Sequence, residues 1–205
     1  MAAPALAQPI NQALRRVPAW PVYAAGFGWM AWLFYMGAVG RLGPEPVEAL
    51  EHRYGELALQ LLIASLAVTP LRRFSGVNLL KFRRAIGLMC FYFVLAHVLV
   101  WAVLDVQSLG RVWADIVKRP YVTIGMAGFV LLVPLAVTSN GWSIRKMGAN
   151  AWRRLHWLVY PAAILGALHY IWLVKGFEIE PLLYMGAILG LLAVRVDWPS
   201  RLALA

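Results

Sequence analysis

WRRLHWLVYPAAILGALHYIWL, residues 152–173, opens on a basic-aromatic cluster and then stays apolar for a membrane's width. A helix rises about 1.5 Å per residue, and a bilayer's hydrocarbon core is about 30 Å thick. The stretch therefore reads as a membrane span. It carries His156 and His169, thirteen residues apart, a separation of roughly 20 Å along a helix axis. One imidazole is expected near each face of the membrane. Ionisable side chains inside a membrane are rare and mark function, so two on one span need a chemical reason.

The rest of the chain has the same character. Of 205 residues, 62% are hydrophobic and 14% charged, and the mean hydropathy is +0.69. One polytopic helical membrane bundle accounts for the whole length. The net charge of +10 would suggest nucleic acid in a soluble protein. Here the basic residues flank apolar spans, which the positive-inside rule explains, and no nucleic-acid partner is expected. The single cysteine, Cys90, lies within an apolar stretch. An internal disulfide, a cysteine-held iron–sulfur set and a c-type haem attachment are thereby excluded.

Working outward from residues 152–173, six spans emerge. The first runs over 17–39, after an Ala/Pro-rich tail, 1–16, that ends in Arg15-Arg16. No apolar core precedes those arginines, so they read as the basic flank of a first helix and not as a cleavable or twin-arginine export signal. The second span covers 57–69, reaches back to about Ala49 and is stopped by Pro70. The third covers 85–104, the fourth 122–137, the fifth is the opening stretch and the sixth covers 181–194. Between the third and fourth, Leu109, Val112, Trp113, Ile116 and Val117 recur at helical spacing, which predicts a short helix on the membrane interface. With the N-terminus inside, the inner segments hold thirteen Lys and Arg and the outer loops six. Both termini are then cytoplasmic, and spans three and five run in the same direction. The expected organisation is an all-α integral membrane protein: a six-helix bundle over 17–196 between cytoplasmic tails, 1–16 and 197–205.

That topology places His97, on span three, and His169, on span five, at similar depth near the outer face. His156 falls at the inner end. Two neutral imidazoles facing each other between helices are what bis-histidine haem ligation requires. Gly166 and Ala162, three and seven residues before His169, leave room for a flat ring. Phe93, Trp101, Trp157, Tyr160 and Tyr170 are available to line it. The competing reading is that the histidines hydrogen-bond between helices as packing groups. His156 lacks a visible partner, and it stands about 140° from His169 around an ideal helix. Pro161 between them could kink that helix. His52, in the first outer loop, reads as a solvated loop histidine. Arg41, His52, Arg53 and Arg111 are the outer candidates for holding haem propionates.

GPEPVEAL at 43–50, LLIASLAVTPLRR at 61–73, RRAIGL at 83–88, AHVLVW at 96–101, VTSN at 137–140 and residues 152–172 together carry a resemblance over nearly the whole chain. The sequence resembles the haem-binding membrane subunits of bacterial methionine-sulfoxide reductase systems, the MsrQ or YedZ family, within the ferric-reductase-like transmembrane superfamily. That superfamily stacks two haems on two histidine pairs. Here the inner partner of His156 is replaced by Arg83 or Arg84, so the resemblance carries over His97 and His169 as iron ligands and leaves His156 open. It implies haem b, and also FMN, whose phosphate Arg83, Arg84, Arg153 and Arg154 could neutralise on the cytoplasmic side. It implies an inner-membrane subunit that takes electrons from the quinone pool or a cytosolic flavin reductase. The acceptor implied is a periplasmic molybdopterin-dependent methionine-sulfoxide reductase, a separate catalytic protein that reverses one step of sulfur oxidation. The superfamily's oxidases append a flavin and nicotinamide domain after span six, and this sequence ends about ten residues past it, so a separate donor is expected.

Two other classes compete. A transporter or channel would show charges in mid-span or broken helices in repeated halves. Neither pattern is present, and Pro134 and Pro161 are its weak support. An assembly subunit without redox chemistry could use GAILG at 186–190 for helix packing. The outer loop 105–121, with Trp113, is either a docking surface for the acceptor or a cover over the haem edge.

Overall fold

The structure, a computed structural model, describes residues 7–174 and 178–195. The tail 197–205, residues 1–6, Lys175 and Arg201 lie outside the described residues. All regular structure among them is helical: α1 (Ala7–Arg16), α2 (Trp20–Ala38), α3 (Pro46–Ser75), α4 (Leu80–Leu99), α5 (Leu109–Lys118), α6 (Pro120–Val137), α7 (Gly141–Met147), α8 (Ala149–Leu155), α9 (Val159–Leu173) and α10 (Ile179–Ala193). Among the described residues, three helices are long and apolar enough to cross a membrane: α3, α4 with its continuation to Val106, and α6. Prolines open several of them. Pro21, Pro46 and Pro120 sit in first turns, where the missing N–H has no helical partner to lose.

The helices differ from the sequence reading in four places. First, residues 7–16 form a helix, pinned when the Asn11 carboxamide donates to the Gly76 carbonyl at 3.0 Å and accepts from the Asn78 N–H at 2.8 Å. Second, α3 does not stop at Pro70 but runs on to Ser75, closed by Gly76 at φ +75°. Pro70 cannot donate to the Leu66 carbonyl four residues back. The Arg195 guanidinium donates to that carbonyl instead, across 129 residues of sequence. Third, the helix carrying His97 continues past Leu99 in a wider, π-type coil over Val100–Val106, ended by Gln107 at φ +59°. Fourth, the stretch 152–173 is not one helix. A tight 3₁₀ turn, His156–Leu158, separates α8 from α9. This places Pro161 in the first turn of α9, where no backbone bond is lost.

The interfacial segment expected in 105–121 is α5. Its Val112 and Ile116 pack inward on Trp101, Val106 and Val122, while Leu109, Trp113 and Val117 are exposed.

Two helix pairs form the centre, α3 against α4 and α6 against α9. α2 packs on the first pair. There Gly26 lets Met89 approach so closely that a Cβ would stand 2.5 Å from its methyl carbon, and the Tyr54 hydroxyl donates to the Met30 carbonyl at 2.7 Å. α10 bridges α9 and α3, burying Ile188 against Leu59, Leu62, Leu66 and Ala163.

Candidate functional site: a histidine pair between two helix pairs

His97 rides on α4 and His169 on α9, one on each pair. Each is held by the other helix of its own pair, in the same way. The His97 Nδ1 lies 2.9 Å from the Glu51 carbonyl on α3. The His169 Nδ1 lies 2.7 Å from the Tyr121 carbonyl on α6. Four residues after each carbonyl stands a glycine, Gly55 or Gly125, whose own N–H is that carbonyl's helical donor. The ring lies over the glycine. A Cβ at Gly55 would meet the His97 Nδ1 at 3.2 Å, and a Cβ at Gly125 would meet the His169 Nδ1 at 2.8 Å. A side chain there would therefore push the ring off its carbonyl.

The chemical result is a defined tautomer. A carbonyl only accepts, so each Nδ1 carries the proton and each Nε2 presents a lone pair. Metal-ligating histidines are oriented by this kind of bond from the other ring nitrogen. The two ring centroids stand 6.2 Å apart, with ring planes 76° apart. A first-row metal–imidazole bond is about 2.0–2.1 Å and the ring centre lies roughly 1.1 Å behind the nitrogen, so two imidazoles sharing one metal from opposite sides separate by about 6.3 Å. The observed spacing matches that requirement. Among the described residues no three His, Cys, Asp or Glu side chains converge as a metal site. A metal held by this pair would take two protein ligands and leave its remaining positions to a non-protein group.

The histidines open on a cavity of about 840 Å³, within the range of small-molecule and cofactor pockets. Its apolar walls include Leu59, Leu62, Val94, Trp101, Phe129 and Leu132, with Ala162 and Gly166 giving width on α9. Trp101 and Tyr170, of the aromatic residues named from sequence, line it. Phe93 instead packs on Tyr54, Trp157 is exposed, and Tyr160 bonds to Arg195. The rim is acidic: Glu48, Glu51, Glu56, Asp105 and Glu178 line it, with His52 and Arg119. Arg119 is ion-paired to Asp115 at 3.3 Å and donates to the Tyr121 hydroxyl at 3.4 Å. The phenol beside it raises its pKa, so the guanidinium stays charged. Arg41, Arg53 and Arg111 are not among the lining residues, and Arg53 pairs with Glu56 at 3.2 Å.

His156 does not join this site. Its Nδ1 lies 3.0 Å from the Trp152 carbonyl and its Nε2 3.5 Å from the Ser139 hydroxyl. Its ring stacks on Trp152 with centroids 3.8 Å apart. Arg83 is half-buried, within electrostatic reach of Arg195, Tyr160 and His156. Arg84 and Arg153 are exposed, and Arg153 bonds to Asn150. Among the described residues none of these arginines meets an acidic side chain.

Sequence reasoning missed the two orienting carbonyls, the two glycines and Arg119. A faint signal existed. Gly55 and Gly125 lie inside helical patterns, where glycine costs about 1 kcal/mol against alanine and so marks a close approach.

Residues 54–167 match the family described as "Ferric reductase like transmembrane component". A Brucella anthropi protein named "Protein-methionine-sulfoxide reductase heme-binding subunit MsrQ" is 48% identical over 181 residues, 88% of this chain and 82% of its own length. Proteins of the same name from Brucella ovis and Brucella canis are 47% identical over the same shares. No solved structure matches the chain.

Proposed function

Because this chain belongs to the ferric-reductase-like transmembrane family, alongside haem-binding subunits of methionine-sulfoxide reductases, we propose that it is a haem-b electron conduit of the bacterial inner membrane. It passes electrons outward to a periplasmic molybdopterin-dependent reductase that repairs methionine sulfoxide. The observation that carries this reading is the histidine pair: two rings 6.2 Å apart, each with its Nδ1 on a carbonyl, facing an 840 Å³ cavity. His97 and His169 would hold the iron through their free Nε2 atoms. When bound, the haem supplies a one-electron couple, with no proton exchanged at the iron. The protein's part is to keep both imidazoles neutral and aimed and to wall the site with apolar side chains.

In this reading α2, α3, α4, α6, α9 and α10 are six spans with both termini cytoplasmic, as the distribution of Lys and Arg favours. Electrons enter from the quinone pool or a cytosolic flavin reductase. If FMN binds on the inner face, Arg83, Arg84 and Arg153 would neutralise its phosphate. His156, bonded to Trp152 and near Ser139, positions the α8–α9 turn on that face.

The test is a visible spectrum of the detergent-purified protein, oxidised and dithionite-reduced, with a pyridine haemochrome count. A low-spin b-type spectrum lost in His97→Ala and in His169→Ala is expected. A colourless wild type under adequate haem supply returns the histidines to packing and reopens the transporter and assembly readings. Reporter fusions at each terminus test the orientation.

A further inference from the structure

We propose that Arg83, Arg195 and Tyr160 form a receptor for a phosphate oxyanion at the end of the bundle away from the histidine pair. Arg83 and His97 are fourteen residues apart on α4, about 21 Å along the axis.

The site follows from Pro70. With no N–H on Pro70, the Leu66 carbonyl recruits Arg195, which draws a guanidinium into the bundle. A second Arg195 nitrogen, Nη1, donates to the Tyr160 hydroxyl at 3.3 Å, and the guanidinium carbon lies 5.7 Å from that ring's centre. The remaining donor, Nε, is buried and has no partner among the described residues. Arg83 stands in the first turn of α4. It is half-buried, Arg195 and Tyr160 are its electrostatic neighbours, and it makes no hydrogen bond or ion pair among the described residues. His156 is also within reach. The described carboxylates all fall in residues 45–56, 105–115 and 178–180, towards the histidine-pair end.

Two neighbouring guanidiniums held partly out of water, one with a spare buried N–H, are costly unless an anion compensates them. A planar guanidinium fork matches phosphate oxygens, and Tyr160 adds a hydroxyl. The phosphate comes either from a phospholipid headgroup or from a soluble phosphoester. The inference does not depend on the haem reading. It narrows the flavin-phosphate contact to Arg83 and adds Arg195 and Tyr160, since Arg84 and Arg153 are exposed.

The experiment is thermal unfolding of the delipidated full chain in non-ionic detergent, followed by tryptophan fluorescence. Inorganic phosphate is titrated against chloride at matched ionic strength, and phosphatidylglycerol mixed micelles against uncharged diacylglycerol micelles. A ligand of the native state raises the midpoint by mass action. Wild type and Arg16→Gln, which alters an exposed arginine with no assigned contact, should rise with phosphate, and Arg83→Gln should not. A rise with phosphatidylglycerol alone, with the same dependence on Arg83, identifies a lipid headgroup as the occupant. Arg83→Gln is preferred to an Arg195 variant because Arg195 also caps Leu66. No rise with either ligand, or a full rise in Arg83→Gln, overturns the proposal. A rise that appears only in Asp197→Asn also overturns it, because the chain then supplies its own anion. A haem spectrum recorded on the same samples keeps this outcome separate from that of the electron-conduit reading.

Discussion

Gly125→Ala is the sharpest perturbation the structure offers. A methyl group at residue 125 would lie 2.8 Å from the His169 Nδ1 and 3.0 Å from its Cε1, against a backbone that cannot move without displacing α6. Ordinary contact distance requires the ring to retreat by about 0.6 Å. The Nδ1 bond to the Tyr121 carbonyl, now 2.7 Å, then lengthens to about 3.3 Å, beyond the ordinary range of about 2.7–3.2 Å, and its angle suffers as the ring lifts. Losing a bond of that kind costs about 1–3 kcal/mol, and removing the group that orients a metal-bound histidine costs roughly 10–100-fold in metal affinity. Alanine is the better helix former by about 1 kcal/mol, so the helix itself should not suffer. Haem titration of the apoprotein, read at the Soret band, should therefore show affinity falling by one to two orders of magnitude with the protein still folded. Gly55→Ala, whose methyl would meet His97 at 3.2 Å, should lose less. Gly28→Ala, with nothing within 4 Å, should lose nothing. A Gly125→Ala protein that binds haem as tightly as wild type, with an unchanged spectrum, would refute the carbonyl-and-glycine account of how the histidine is aimed.

Three further outcomes follow from the same geometry. His156→Ala should keep the haem count and spectrum of the wild type, because its ring is engaged by Trp152 and stands outside the cavity lining; a halved haemochrome count would instead reveal a second haem. Arg119→Gln should lower the haem midpoint potential in spectroelectrochemical titration, since it removes a lining cation from a rim holding five carboxylates; Arg111→Gln, outside the lining, should leave the potential unchanged. Tyr54→Phe should destabilise the fold by about 1 kcal/mol through loss of its bond to the Met30 carbonyl, seen as a lower unfolding midpoint with haem affinity intact.

What could be read from the chain was whatever local pattern controls. Hydropathy located the long apolar helices, and helical spacing located α5. The depth argument put His97 and His169 side by side, and the structure brings their rings to 6.2 Å. Gly166 and Ala162, singled out as small residues on the His169 face, do line the cavity. What could not be read depends on a second helix. Pro70 carries a strong stop signal, and only the arrival of Arg195 makes the continuation of α3 tolerable. The anchoring carbonyl of His97 belongs to Glu51, a residue whose side chain gives no hint that its backbone matters. The widened coil after Leu99 has no proline or glycine to announce it, and its Trp101 and Val106 are buried against Val122. The Ala/Pro-rich opening became a helix because Asn11 found the backbone of Gly76 and Asn78.

The arrangement also says why the cavity exists at all. Within each pair, α3 with α4 and α6 with α9, helices are in intimate contact, and each histidine is fixed by its own pair. Between the pairs, at the level of the histidines, side chains shrink to Gly55, Gly125 and Gly166, and the space stays open. A sequence selected only for packing would fill that space, because cavities cost stability in proportion to their volume. Keeping it open while holding two imidazoles at the separation of a shared metal is costly for folding, and a bound ligand that bridges the pairs can return that cost by mass action. The pairs are thus rigid parts already aimed at each other, and the group between the two rings is the joint. The cavity rim beside the two rings holds most of the described carboxylates, whereas Arg83 and Arg195 gather at the far end of the bundle, so the two ends offer opposite charge to whatever docks there.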